Sequence, residues 1–154
     1  MSLSWQIHTD GACSGNPGPA GIAFVAREGD KVVREFSKGL GDATNNIAEY
    51  TAVIYALQEA LIARVDKVEI LTDSELMCQQ LNGNYKVKNG NIKPLFEQLR
   101  HLIRGFKEFS IRHIPRAKNK EADQLAKKAI SQEQTPTVAS SAQTEGEESP
   151  SSKG

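Results

Sequence analysis

The residues best able to do chemistry are four acids: Asp10 after the apolar stretch 5–9, Glu49 in NNIAE, Asp73 in LTDS and Asp123 in NKEAD. Asp10 belongs to the run TDGACSGNPGPAG, in which four glycines and two prolines follow the acid. That composition predicts a strand ending on a carboxylate and then a turn that leaves several backbone amides bare. Carboxylate oxygens are hard donors that suit Mg²⁺ or Mn²⁺. Two such ions about 4 Å apart can clamp the attacking and leaving oxygens of a phosphoryl displacement. Taken singly, each acid has a plainer reading. Glu49 and Asp123 are expected in first helical turns, where the macrodipole favours any carboxylate. Gathered at one point, the four would repel one another, so the cluster should bind divalent metal and show raised pKa values when empty.

These acids lie far apart in the chain, so secondary structure must bring them together. Strands are predicted at 5–10, 21–27 and 31–38, the last two joined by a hairpin turn at 28–30. Ile47, Tyr50, Ile54, Leu57 and Leu61 recur at spacings of three and four, marking one face of a helix that starts at Asn45 or Asn46. A fourth strand follows at 68–73. A strand reached through a helix favours a parallel pairing with right-handed crossover, which would set Asp73 beside Asp10. A short helix at 74–81, a polar turn at 82–84 and a helix buried through Leu95, Leu99, Leu102 and Ile103 come next. A fifth strand at 109–114 stops at Pro115, and a last helix over 118–130 turns Leu125, Ala126, Ala129 and Ile130 inward. The fold class is α/β: a mixed five-stranded sheet, three antiparallel strands and then two parallel, with helices packed on it.

The chain has 154 residues, 38% apolar and 25% charged, enough for one domain over 1–130. Residues 131–154 form an acidic, Ser-, Thr- and Gln-rich tail with little to bury, and disorder is expected there. No apolar run approaches the ~20 residues of a membrane span, and the N-terminus lacks a secretory pattern, so a soluble, intracellular, cytoplasmic protein is expected. Cys13 and Cys78 lack metal-ligand spacing and read as free thiols. The net charge of zero conceals two unlike parts. Through Ile130 there are 18 Lys and Arg against 15 Asp and Glu; from Ser131 there are 1 against 4. Between Lys86 and Lys128 the count is 12 basic against 4 acidic. A basic third beside an acidic pocket suits a polyanion held by its phosphates while one of them meets metal.

The order Asp, Glu, Asp, Asp, with the TDG…GNPGPAG opening, the NNxAE helix start, the TDS strand end and the NxxAD closing helix, resembles a type 1 ribonuclease H over roughly residues 4–130. The resemblance implies the ribonuclease H fold. It also implies an endonuclease that hydrolyses the RNA strand of RNA–DNA hybrids with two Mg²⁺ or Mn²⁺ ions, leaving 5′-phosphate and 3′-hydroxyl ends. Asp10 would then bridge both ions, Asp123 would complete the ion that activates water, and Glu49 with Asp73 would hold the ion at the leaving 3′ oxygen. Gly11, Cys13, Ser14, Asn16, Asn45 and Asn46 match positions that contact ribose and base edges. Thr44 and Asn89 match a phosphate pocket for the DNA strand, with Lys86 and Lys88 adding charge nearby, although Asp42 stands where relatives often carry Arg. Arg116 matches the product-release role that a mobile His fills in other members; His113 falls in the expected fifth strand and reads as structural. The segment 82–93 is too short for the basic, Trp-containing helix of many relatives, and no separate N-terminal hybrid-binding domain is expected. A monomer without an obligate protein partner is the expectation.

Two rivals are a nuclease of the same fold acting on double-stranded RNA or DNA, and a hybrid-binding module that does not cleave. The GNPGPAG turn and the Asn45–Asn46 pair favour the hybrid, and four mutually repelling acids are not what a pure binder needs. Deleting everything after Ser131 should shift the melting temperature by no more than about 2 °C, since a segment that buries nothing contributes little to stability. A drop of many degrees would show that the tail docks.

Overall fold

The computed structural model describes residues 2–134. Five strands form one mixed sheet in the order β3-β2-β1-β4-β5, as the sequence predicts. β1 (Ser4–Cys13) pairs antiparallel with β2 (Gly18–Glu28), which pairs antiparallel with β3 (Lys31–Ala43). On its other side β1 pairs in parallel with β4 (Lys67–Thr72), and β4 pairs in parallel with β5 (Glu108–His113). The helices are α1 (Asn45–Ile62), α2 (Glu75–Leu81), α3 (Lys93–Ile103) and α4 (Lys120–Gln134), the last preceded by one 3₁₀ turn at Arg116–Lys118. Among the described residues, no helix is long and apolar enough to cross a membrane.

Glycine placement explains how the two helical layers close on the sheet. A Cβ on Gly11 would lie 2.6 Å from the Glu49 amide nitrogen and 2.7 Å from the Ala48 Cβ, so α1 can approach β1 only over a bare backbone. Gly21 stands opposite Ala12, one residue beyond Gly11, and therefore faces the other side of the sheet. There a Cβ would strike the Ala126 carbonyl oxygen and come within 3.0 Å of the Ile130 nitrogen, so Gly21 seats α4. Gly11 corrects the expectation of a turn directly after Asp10, and the strand expected from Gly21 begins earlier, at Gly18. The turn is confined to 14–17 and closed by the Ser14 amide donating to the Pro19 carbonyl at 2.8 Å, while Gly11 and Gly21 are extended strand residues.

The main core lies between the sheet and α1 with α3 beside it, and joins Trp5, Ile7, Phe24, Tyr50, Leu57, Ile70 and Leu99. Phe24, Phe36 and Tyr55 stack in sequence at centroid separations of 5.4 and 5.3 Å, fixing α1 across β2 and β3. The expected inward residues Ala126 and Ala129 of α4 are fully buried, whereas Leu125 and Ile130 are half-buried. That helix starts two residues later than predicted, because the 3₁₀ turn takes up 116–118. It ends four residues later, at Gln134; the remainder of the expected disordered tail lies outside the described residues. Both cysteines are free thiols.

Tyr50 carries one of the few polar links inside this core. Its hydroxyl donates to the Gln80 Oε1 at 2.6 Å, joining α1 to α2, and burial pushes its pKa up to about 12. Tyr50→Phe should therefore cost about 1–2 kcal/mol in denaturant unfolding, because the Gln80 carbonyl is left buried without its donor. An unchanged midpoint would show that the bond contributes nothing net.

Candidate active site

The register of the parallel pair sets the site. His8 stands opposite Leu71, so two residues on Asp10 comes level with Asp73, just past the last residue of β4. β4 stops at Thr72 while β1 runs on to Cys13, which opens a crevice at the carboxyl ends of two parallel strands, where α/β sheets bind ligands. Asp10 is thus inside β1 rather than at its end as expected; pairing with β2 carries the strand onward through Cys13. Asp73 is pinned on both sides. The Ser74 amide donates to Thr72 Oγ1 at 3.0 Å, and Ser74 Oγ caps α2 by accepting from the Met77 amide at 3.2 Å.

Glu49 also departs from its expected place. It is the fifth residue of α1, beyond the first turn, and the helix has no acid in that turn. What holds it is Gly11, whose amide donates to Glu49 Oε1 at 3.1 Å. Asp123 does sit in the first turn of α4. Asn119 places that turn. Its fully buried Nδ2 donates to the Thr9 carbonyl at 2.8 Å, and its own carbonyl accepts from the Asp123 amide at 3.1 Å. A single buried amide therefore ties the residue before Asp10 to the turn that carries Asp123.

The carboxylate oxygens of Asp10, Glu49 and Asp73 lie within 4.8 Å of one another. Asp123 completes the wall of a cavity of about 340 Å³ that also takes in Gly11, Cys13, Asn45, Asn46 and Arg116. Burial, then the charges of Glu49, Asp73 and Asp123, push the Asp10 pKa up to about 9. Burial and Asp73 push Glu49 up to about 8, against the pull of the Gly11 amide and of Arg116. Asp123 moves the other way. Burial opposes its ionisation, but the hydrogen bond from Asp10 and the hydrogen bond and charge of Lys127 outweigh it, with Arg116 adding its charge. Burial thus favours the neutral form of Asp10, while neighbouring cations favour the charged form of Asp123. Three hard oxygen donors converging in a space where their own charge is disfavoured fit a hard divalent cation, and all four acids could contribute ligands.

The other predicted residues divide. Asn45, Asn46, Gly11, Cys13 and Arg116 line the cavity with the acids. The Cys13 thiol donates to the Ala43 carbonyl at 3.3 Å, and burial with the Glu49 charge raises its pKa, so it is a neutral thiol. Ser14, Asn16, Thr44, Lys86, Lys88 and Asn89 are not part of that cavity lining. Asn16 Oδ1 accepts from the Asn45 amide at 3.0 Å, tying the turn to the start of α1, and Thr44 Oγ1 caps the same helix through the Ile47 amide at 3.2 Å. Lys86, Lys88 and Asn89 are exposed in the connection between α2 and α3, where Asn89 Oδ1 accepts from the Asn91 amide. His113 is the exposed last residue of β5. Sequence reasoning passed over Asn119, Ser74 and Lys127. The last was legible as the i, i+4 partner of Asp123 on a helix, and its ammonium lies 3.0 Å from that carboxylate.

Fold and site together place the molecule among proteins built on a ribonuclease H-like sheet with acids at its centre. The sequence pattern of the family described as Reverse transcriptase-like matches residues 8–129. A ribonuclease HI of Halobacterium salinarum is 42% identical over 128 residues, covering 81% of this chain and 64% of that protein. A ribonuclease H of Rhodopseudomonas palustris is 36% identical over 140 residues, covering 82% and 88%. Among solved structures, an LC11-RNase H1 in complex with an RNA/DNA hybrid superposes with a TM-score of 0.81 at 39% identity, covering 85% of this chain and 99% of that one. The chain spans 64% of the Halobacterium protein and 35% of the mycobacterial relatives it matches. It belongs to the ribonuclease H family, type 1.

The raised carboxyl pKa values make a stability prediction with a definite sign. Groups whose pKa is higher folded than unfolded give stability that is complete below the unfolded value and lost as pH rises through the folded one. Without metal, the melting temperature should fall as pH rises from 5 through the window of about 8 to 9 set by Glu49 and Asp10. Asp10→Asn should flatten that fall and melt several degrees above the parent at pH 9, where ~1 kcal/mol corresponds to roughly 2–8 °C. Identical pH slopes for the two proteins would refute the repulsion.

Proposed function

We propose that this chain is an endonuclease that hydrolyses the RNA strand of RNA–DNA hybrids. The observation that carries the reading is the trio Asp10, Glu49 and Asp73, with oxygens within 4.8 Å at the carboxyl ends of β1 and β4, and Asp123 on the same cavity wall. The LC11-RNase H1 that shares its fold is in complex with an RNA/DNA hybrid. Two Mg²⁺ or Mn²⁺ ions, held by Asp10, Glu49, Asp73 and Asp123, would supply a lowered pKa for the attacking water and charge stabilisation at the leaving oxygen. Cleavage in that manner leaves 5′-phosphate and 3′-hydroxyl ends.

The remaining parts of the reading rest on the chain's own groups. Asn45 and Asn46 stand in the first turn of α1 on the cavity rim, where side-chain amides can both donate to and accept from a ribose 2′-hydroxyl, the group that tells RNA from DNA. Gly11 lines the cavity beside Asp10 with backbone alone, because α1 occupies the space a side chain would need. Cys13 ends β1, Ser14 opens the turn, and Asn16 ties that turn to the Asn45 amide of α1, so their part is to fix the surface that the ribose meets, while Thr44, which caps α1, would stand with Asn89 toward a phosphate of the DNA strand. Arg116, with a side chain 73% exposed and a guanidinium 3.7 Å from Asp123, can reach a phosphate and assist its departure. Exposed Lys86 and Lys88, with Asn89, would meet the phosphates of the DNA strand.

Labelled RNA–DNA hybrid, double-stranded RNA and double-stranded DNA should be incubated with Mg²⁺ or Mn²⁺. The expected outcome is cleavage of the RNA strand of the hybrid, with Asp10→Asn losing activity by about a hundredfold or more, as when one electrostatic group is removed from a preorganised site. Hybrid binding without cleavage under either metal would make the protein a binding module, and equal cleavage of the duplexes would make it a broader nuclease.

A further inference from the structure

The four acids are unequally provided with countercharge. Among the described residues, Asp10, Glu49 and Asp73 have no Lys or Arg within ion-pair distance, whereas Asp123 has two: Lys127 Nζ at 3.0 Å from Oδ2 and the Arg116 guanidinium at 3.7 Å from Oδ1. Both oxygens of the fourth acid are therefore engaged. Lys127 is one helical turn from Asp123, so the pair forms wherever α4 forms and needs no tertiary contact. It also lines the cavity and is 55% exposed, which leaves its ammonium free to swing away along the wall.

We infer that Lys127 is a positioning residue that stands in for a divalent cation at Asp123 and must release that carboxylate when Asp10 and Asp123 take a cation together. This rests on the metal-dependent reading above. It makes the two ends of the cluster inequivalent. Asp10, Glu49 and Asp73 have no ion pair to give up when a cation arrives, while the Asp123 end first gives up an existing one. Once displaced, the ammonium remains at the cavity wall, next to where a substrate phosphate would lie, so its charge is not lost to the site. Arg116 is farther from Asp123 and more exposed, which leaves Lys127 as the main competitor.

The test compares the parent with Lys127→Gln, Lys127→Arg and Lys128→Gln, the last removing an exposed charge next along α4 that does not line the cavity. Each is melted in EDTA and in saturating Mn²⁺, and Mn²⁺ uptake is followed by calorimetry without substrate. Lys127→Gln should melt below the parent in EDTA, the gap should close in Mn²⁺, and Mn²⁺ should bind about two- to five-fold more tightly, the range for releasing one partly exposed ion pair. Lys127→Arg should behave as the parent, and Lys128→Gln should leave Mn²⁺ affinity unchanged. A gap of equal size in EDTA and Mn²⁺ would show that Lys127 only supports the helix. Equal tightening by Lys128→Gln would show a general charge effect, and either result overturns the inference. A parent that takes up no Mn²⁺ would instead sink the metal-dependent reading beneath it.

Discussion

Repulsion among three acids held close together is the constraint that the rest of this molecule accommodates. At 4.8 Å and an effective dielectric near 20, each ionised pair costs roughly 3 kcal/mol, comparable to a sizeable part of a small domain's net stability. Such an arrangement persists only because elements with large buried surfaces fix it. β1 and β4 are locked in parallel register beneath α1, and that register sets Asp10 level with Asp73. Gly11 lets α1 come close enough for Glu49 to reach over the strand, and its amide then holds the carboxylate there. Part of the repulsion is relieved by protonation, which is why Asp10 and Glu49 titrate far above ordinary carboxylates.

Asp123 shows a different solution to the same problem. It comes from a separate helix, seated on the opposite face of the sheet by Gly21 and anchored by the buried Asn119 amide. Its charge is met by Lys127 and Arg116 rather than by a proton. The site thus joins a preformed three-acid pocket to a fourth acid whose charge is met by local cations. Basic residues are concentrated between Lys86 and Lys128, the same third of the chain that supplies this fourth acid.

Much of this was legible in the sequence because its strongest signals are local. The three- and four-residue spacing of Ile47, Tyr50, Ile54 and Leu57 marked α1, and the strand-helix-strand order fixed the parallel pair that aligns Asp10 with Asp73. Where the reading went astray, a long-range contact had decided the matter. Gly11 looked like a turn residue because glycine does punctuate chains, and Gly21 read only as the start of a strand, yet the missing Cβ of each serves a helix distant in sequence. Glu49 was placed in the first turn of α1 because it follows a helix start closely, but Thr44 caps the helix and leaves Glu49 as its fifth residue. Asn119 was legible only as a position of the NxxAD pattern, because nothing in NKEAD reveals that its amide would be buried against Thr9.

The claim that clustered carboxylates hold protons until divalent cations replace them can be measured directly by titrating Mn²⁺ into the metal-free protein near pH 7.5 in two buffers of different ionisation enthalpy. With Glu49 and Asp10 titrating near 8 and 9, cation uptake should release at least about one proton per molecule, seen as heats that differ between the buffers. Uptake with identical heats in both buffers, and so without proton release, would contradict the account.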